Sequence, residues 1–257
     1  MTPREKYIAF RTIVVKEFLR FARIWLQTLL PPAITTALYF IIFGKLIGAQ
    51  IGDMGGVPYM DYIVPGLIML AVIANAYANV VSSFYGAKFQ RSIEEMLISP
   101  VPNYLIVTGF VVGGVARGMI VGAVVTLVSL LFTDLDVHNI WVALSVLVLT
   151  ATLFSLAGLI NGVYARSFDD ISIIPTFVLT PLTYLGGIFY SIEMLPAFWQ
   201  QASLINPILY MINAFRYGLL GISDISLWAS YAIILGFIAA LFAFSLHLMN
   251  KGHGIRS

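Results

Sequence analysis

Charge is missing from long tracts of this chain, and that absence limits the possible fold more than any motif does. Residues 24–44 and 62–87 carry no Asp, Glu, Lys or Arg, and 104–133 carry only Arg117. Residues 139–165, 171–192 and 225–250 again carry none. A helix needs about 20 apolar residues to cross a hydrocarbon core of about 30 Å. Lipid satisfies no backbone polar group, so an uncharged tract of that length crosses as a helix. The composition agrees, with 60% hydrophobic and 10% charged residues and a mean hydropathy of +0.94. Soluble domains hold about 25% charged residues. The chain therefore reads as an all-α membrane protein with six transmembrane helices, at about 24–46, 62–86, 104–132, 140–164, 171–191 and 225–249. Residues 194–215 are also uncharged, but Pro196, Gln200, Gln201, Ser203, Asn206 and Pro207 would interrupt a straight helix in lipid. They are expected to form two external re-entrant helices within about 194–220.

The basic residues set the orientation. Arg4, Lys6, Arg11, Lys16, Arg20 and Arg23 precede the first span, Lys88 and Arg91 follow the second, Arg166 the fourth, and Lys251 and Arg256 the sixth. Only Lys45 and Arg216 fall on the other side, beside Asp53, Asp61, Asp134, Asp136, Glu193 and Asp224. Eleven against two places both termini in the cytoplasm, and an even number of spans satisfies that.

Several function classes drop out. A net charge of +2 supplies no field for nucleic acid. There is no Cys, and His138, His247 and His253 are too dispersed to form a metal set. No GxxxxGK[ST], GxSxG or HExxH occurs, so neither a nucleotide-binding loop nor a common hydrolase signature is present.

Three connections carry pattern. Residues 1–23 place Val14, Val15, Phe18, Phe21 and Ala22 on one helical face, with Lys16, Arg20 and Arg23 opposite and Arg11 out of place among the apolar set. That predicts an N-terminal amphipathic interface helix. Residues 88–99 predict a short cytoplasmic helix. Phe89, Ile93, Met96 and Leu97 form its apolar stripe, and Gln90, Arg91, Glu94 and Glu95 its polar side. Pro100 and Pro102 stop it. The outer stretch holds Phe189, Tyr190, Phe198 and Trp199, with Pro196 suited to one helix start and Asn206-Pro207 to another. Such a stretch either seals a pathway or simply packs.

In this order and spacing these segments resemble the membrane subunit of ABC-2 type ABC exporters, a group that includes nodulation-factor and antibiotic-resistance permeases. The likeness runs over the whole chain. It rests on the basic N-terminus, on Ser92-Ile93-Glu94-Glu95-Met96-Leu97-Ile98-Ser99-Pro100, and on Gly187-Ile188-Phe189-Tyr190, Leu195-Pro196, Asn206-Pro207 and Arg216. Tyr190-Ser191 stands where many members have a proline. The resemblance implies a dimer of six-span permeases joined to two copies of a separate ATPase, which binds ATP and Mg. It also implies residence in the bacterial inner membrane and no catalytic or metal-binding residues in this chain. Phe89, Arg91, Ile93, Glu94, Glu95, Met96 and Leu97 would lie on the coupling helix that docks into the ATPase. Phe189, Tyr190, Pro196, Trp199, Asn206, Pro207 and Arg216 would belong to the external gate.

Polar residues inside the spans are the pathway candidates. Asn75 and Asn79 share a helix face, continued by Ser82 and Ser83, and Thr176, Thr180 and Thr183 line one side of the fifth span. The second and fifth spans border the pathway in the resembling family. Interhelical hydrogen bonding is the alternative use. Arg117, alone among glycines in the third span, either lines the pathway or bonds carbonyls of a neighbour. An ATP-independent transporter or channel is the rival function. It is disfavoured because no Asp or Glu lies within the six spans to couple ions. A membrane-embedded enzyme would need a nucleophile–base pair or metal set that the spans lack.

Overall fold

The computed structural model describes residues 1–252, and the side chains at 45 and 49 lie outside that description. Lys45, His253 and Arg256, which entered the charge and ligand arguments, are thus beyond what can be placed. Helix α1 (Pro3–Ala22) opens on a reciprocal cap. Thr2 Oγ1 accepts from Glu5 N at 3.3 Å, and Glu5 Oε2 accepts from Thr2 N at 2.9 Å. Next come α2 (Trp25–Tyr39), a π-helical continuation (Phe40–Ile47), α3 (Gly48–Ile51) and a two-residue hairpin, β1 (Asp53–Met54) with β2 (Val57–Pro58). The long α4 (Tyr59–Phe89) leads to α5 (Ser92–Ile98), α6 (Asn103–Ser129) and α7 (Ile140–Tyr164). A broken stretch follows: α8 (Asp170–Ile174), a π segment (Pro175–Leu179) and α9 (Thr180–Tyr184). Two shorter helices, α10 (Ala197–Leu204) and α11 (Pro207–Leu220), precede α12 (Leu227–Lys251).

Five described helices are long and apolar enough to cross a membrane: Trp25–Gly44, α4, α6, α7 and α12. The expected fifth span, 171–191, is shorter than its uncharged tract. Its helical part ends at Tyr184, and those residues cover only about 22 Å at 1.5 Å each. Pro175 and Pro181 each remove a donor from the ladder, and the helix widens to a π segment that begins at Pro175 and ends before Pro181.

The centre of the bundle is α4. Its most apolar stretch is 72% buried, against 17% for Trp25–Gly44 and 22% for α12, so those two have apolar surface left for lipid or for another chain. In lipid, helices associate through close packing rather than through hydrophobic exclusion, and small residues make that possible. Gly114 of α6 leaves no room for a Cβ beside Ser155, Val80 and the Ala76 carbonyl. A Cβ on Gly158 of α7 would stand 2.6 Å from the Tyr77 carbonyl oxygen. Gly158→Val must force α7 off α4 and should cost about 1–3 kcal/mol. Thermal unfolding of the detergent-solubilised protein measures this, and an unchanged midpoint would show that the α4–α7 contact does not hold the bundle.

Two local readings are corrected. The helix expected over 88–99 is not continuous. Gln90 and Arg91 break it, with Arg91 left-handed at φ 59°, so Phe89 ends α4 rather than starting α5. The inward face of α1 is Ile13, Glu17 and Phe21, while Val15 and Phe18 are exposed. The wheel separated apolar from basic residues, but the bundle presents polar partners on α4. One polar pair, Glu17 with Arg20, therefore turns inward.

Candidate functional site

At the basic end of the bundle, α5 is pinned by Ile93, which is fully buried, and by Met96 and Leu97, which pack against the core formed by α4, α6 and α7. Glu95 is exposed and Glu94 half-buried. Phe89 and Ile98 point outward at 66% and 86% exposure. Phe168, from the connection between α7 and α8, joins Phe89: its ring is 5.4 Å from Phe89 and 4.9 Å from Tyr85. That connection is tied down. Lys88 Nζ donates to the carbonyls of Val163 (2.7 Å) and Ala165 (2.8 Å), and Tyr85 Oη donates to the Arg166 carbonyl at 3.0 Å. Asp170 accepts from the backbone N–H of Arg166 at 2.8 Å and of Ser167 at 3.1 Å. The Arg166 N–H, followed by the Ser167 hydroxyl, holds the Asp170 carboxyl below its ordinary value. The turn is therefore intact at neutral pH and is lost only as pH falls through that lowered value. Sequence reasoning passed over Phe168. A lone Phe beside Arg166, Asp169 and Asp170 has no periodicity to mark it.

Between α1, α4 and α6 lies a buried polar cluster. Ile13 sits against Gly109 and Glu17 against Gly113, so α1 runs alongside α6 in the same direction. Glu17, with no exposure, accepts from Ser83 Oγ at 2.7 Å and from Arg20 Nε at 3.3 Å, the one ion pair among the described residues. Arg20 Nη2 also donates to the Asn79 carbonyl (2.8 Å) and Oδ1 (2.7 Å). One turn away on α4, Asn75 Oδ1 accepts from Arg117 Nη2 at 3.2 Å. Asn75, Asn79 and Arg117 are thus brought together. Glu17 and Arg20 complete the group; the sequence reading had put Arg20 on the polar face of an interface helix and passed over Glu17.

A groove of about 290 Å³ separates α2 from α4. The two helices are antiparallel, since Gly44 meets Met60 while Gln27 and Thr28 share the groove with Ala74 and Asn75. Its basic end is polar (Gln27, Thr28, Asn75), and its far end reaches Tyr39. There Tyr39, Phe43, Tyr184 and Phe189 cluster. Phe43 stacks on Phe189 at 4.5 Å, and the Tyr39 and Tyr184 hydroxyls are 3.3 Å apart. The threonines of the broken stretch are not gathered here. Thr176 and Thr180 are exposed and Thr183 is buried. Thr180 and Thr183 donate to Pro175 and Leu179 carbonyls of their own helix.

At the end remote from α5, Asn206 caps α11 through Ile208 N (3.0 Å) and donates to the Leu182 carbonyl at 2.6 Å, with Pro207 as the first helical residue. Pro196 caps α10, which leaves Phe198 and Trp199 exposed. Tyr190 Oη donates to the Tyr184 carbonyl at 3.0 Å. Arg216, counted from the sequence on the outer side and among the gate candidates, is 1% exposed. It lies 4.0 Å over the Tyr62 ring and donates to the Gly187 carbonyl at 2.6 Å. Asn206 and Arg216 thus fasten α11 to the broken stretch, because α11 lies inside the bundle and not on its rim.

A bundle of long apolar helices with a clamped knob at its basic end and a groove along its central helix defines a multi-pass α-helical membrane protein. The sequence pattern of the ABC-2 type transporter family matches residues 8–220, and the chain belongs to that family. It is 60% identical over 252 residues to the inner membrane transport permease YadH of Escherichia coli (strain K12), an alignment covering 98% of each chain. It is also 22% identical over 237 residues, 92% of each chain, to nodulation protein J of Rhizobium leguminosarum bv. viciae. With nodulation protein J of Rhizobium meliloti (strain 1021) it shares 23% identity over 207 residues, 80% of this chain and 79% of that one.

Proposed function

We propose that this chain is the membrane-spanning permease subunit of an ATP-driven exporter in the bacterial inner membrane, working as a dimer joined to two copies of a separate ATPase. Family membership and the name of the Escherichia coli relative support this reading. The observation that carries it is α5, a seven-residue helix fixed by buried Ile93 yet leaving Phe89 and Ile98, with neighbouring Phe168, uncovered. Uncovered apolar clusters of this kind mark partner surfaces. ATP and Mg belong to the partner, because this chain has no phosphate-cradling loop.

The mechanism follows from the connections. Closure of the ATPase pair displaces α5 and, through Lys88 and Tyr85, the adjoining connection. Helix α4 carries the motion to the wall of the groove at Asn75. The six crossings are the five long helices plus the broken stretch, completed by residues 185–190, with both termini in the cytoplasm. The aromatic cluster of Tyr39, Phe43, Tyr184 and Phe189 closes the outer end, backed by the re-entrant pair α10 and α11.

One observation favours the rival, ATP-independent reading. Glu17 brings a buried carboxylate into the bundle, which the spans alone did not offer. Its oxygens are taken by Ser83 and Arg20, however. The deciding experiment expresses the chain with candidate P-loop ATPases from the same genome. One such pair is expected to co-purify at equal stoichiometry and to hydrolyse ATP, while this chain alone hydrolyses none. Hydrolysis by the isolated chain, or transport that persists with an ATPase unable to hydrolyse, would refute the proposal.

A further inference from the structure

Beyond the exporter reading, and resting on it, we infer that the cargo is an amphiphile with an anionic headgroup, held by Arg117 and Arg20 with its tail in the α2–α4 groove. The cluster holds two guanidiniums and one carboxylate, Glu17. Arg20 and Ser83 engage that carboxylate, so the charge of Arg117 has no counterion among the described residues. Its only partner is the neutral oxygen of Asn75, its Nε is buried without any acceptor, and Arg20 is near enough to repel it. The Asn79 amide nitrogen is a second buried donor with nothing to bind. Guanidinium is the side chain best matched to phosphate or carboxylate oxygens. An uncompensated charge inside a membrane bundle ordinarily marks a ligand path.

The position fits a headgroup. Asn75 and Asn79 are about 24 and 30 Å along α4 from its outer start at Tyr59, the inner edge of a core about 30 Å thick. The groove begins at Asn75 and runs outward past Pro31, Leu67 and Leu70 to Tyr39. At about 290 Å³ it is at the small end of ligand sites, so it takes one aliphatic chain and no folded saccharide.

The test uses the full chain in nanodiscs of neutral phosphatidylcholine, without ATPase, so that binding is read separately from export. Monododecyl phosphate should bind one per chain. Arg117→Gln should weaken it about tenfold or more, Arg20→Gln less, and Arg117→Lys, which keeps the charge but not the planar fork, should fall between wild type and Arg117→Gln. Inorganic phosphate alone should bind far more weakly, because it lacks the tail. Dodecyl maltoside, with the same tail and no charge, should be insensitive to Arg117→Gln, which also shows that the variant is folded. Phosphatidylglycerol added to the disc distinguishes two sources of the anionic headgroup: competition assigns it to a bilayer lipid, and no competition to a single-chain cargo. Equal affinity of wild type and Arg117→Gln for monododecyl phosphate would overturn the inference. It would leave the exporter proposal standing, just as failure to assemble with an ATPase would leave this site standing.

Discussion

Phe89→Asp combined with Ile98→Asp is expected to lower ATP-driven transport by roughly 30-fold or more while the protein stays folded. Both side chains are largely exposed, so Asp at either position remains in water and adds no buried charge. What is lost is an apolar anchor for the ATPase, and central anchors of that kind contribute about 2 kcal/mol or more to binding. Met96→Asp and Leu97→Asp, which the sequence pattern ranks alongside Phe89, should behave differently. Both residues pack against the bundle, so their Asp variants should lose thermal stability as well as transport. Transport assays in proteoliposomes, paired with unfolding midpoints, separate the two outcomes. Wild-type transport by the Phe89 and Ile98 double variant would remove this face from the docking surface. Reversing Glu95 with Lys should have a smaller effect that fades at high salt, because the side chain is exposed.

Glu17→Ala should give the largest loss of stability, about 3–5 kcal/mol, as expected when one member of a buried ion pair is deleted. The carboxylate is fully buried between α1 and α4. Without it, Arg20 keeps only Asn79, Ser83 loses its acceptor, and two guanidiniums face each other with no anion between them. Removing Arg20 as well should recover part of the loss, since the double variant no longer leaves a charge unpaired. The comparison is between unfolding midpoints of the single and double variants in nanodiscs. An Ala variant as stable as wild type would mean that α1 is held by Ile13 and Phe21 alone.

The five long helices were legible in the sequence because the physics that makes them is local. A run of apolar residues as long as the hydrocarbon core leaves each backbone group satisfied only inside its own helix. The Asn206-Pro207 start of α11 was legible for the same reason, since a cap and a fixed φ act within one turn. The broken helix at Pro175 was only half visible: the prolines were plain, but where the regular part stops was not.

What the sequence could not decide was which polar residue meets which. Helical spacing put Arg20 on the polar face of an interface helix, and the charge count put Arg216 on the outer side; neither reading sees a neighbouring helix. The tertiary structure turns both inward, Arg20 half-buried against Asn79 of α4 and Arg216 buried against Tyr62 and the Gly187 carbonyl. Those partners lie 59, 154 and 29 positions away in the chain. The same holds for Phe168, which joins Phe89 and Tyr85 only because Lys88 and Tyr85 bind the carbonyls around it. The sequence by itself determined that this chain crosses a membrane as helices and where most of them begin. Only the packed bundle determined which charges are paired, which aromatic faces remain free, and that the guanidiniums of Arg117 and Arg216 are left without an anion among the described residues. Apolar length is a property of a segment, whereas charge compensation in a low-dielectric interior is a property of neighbours.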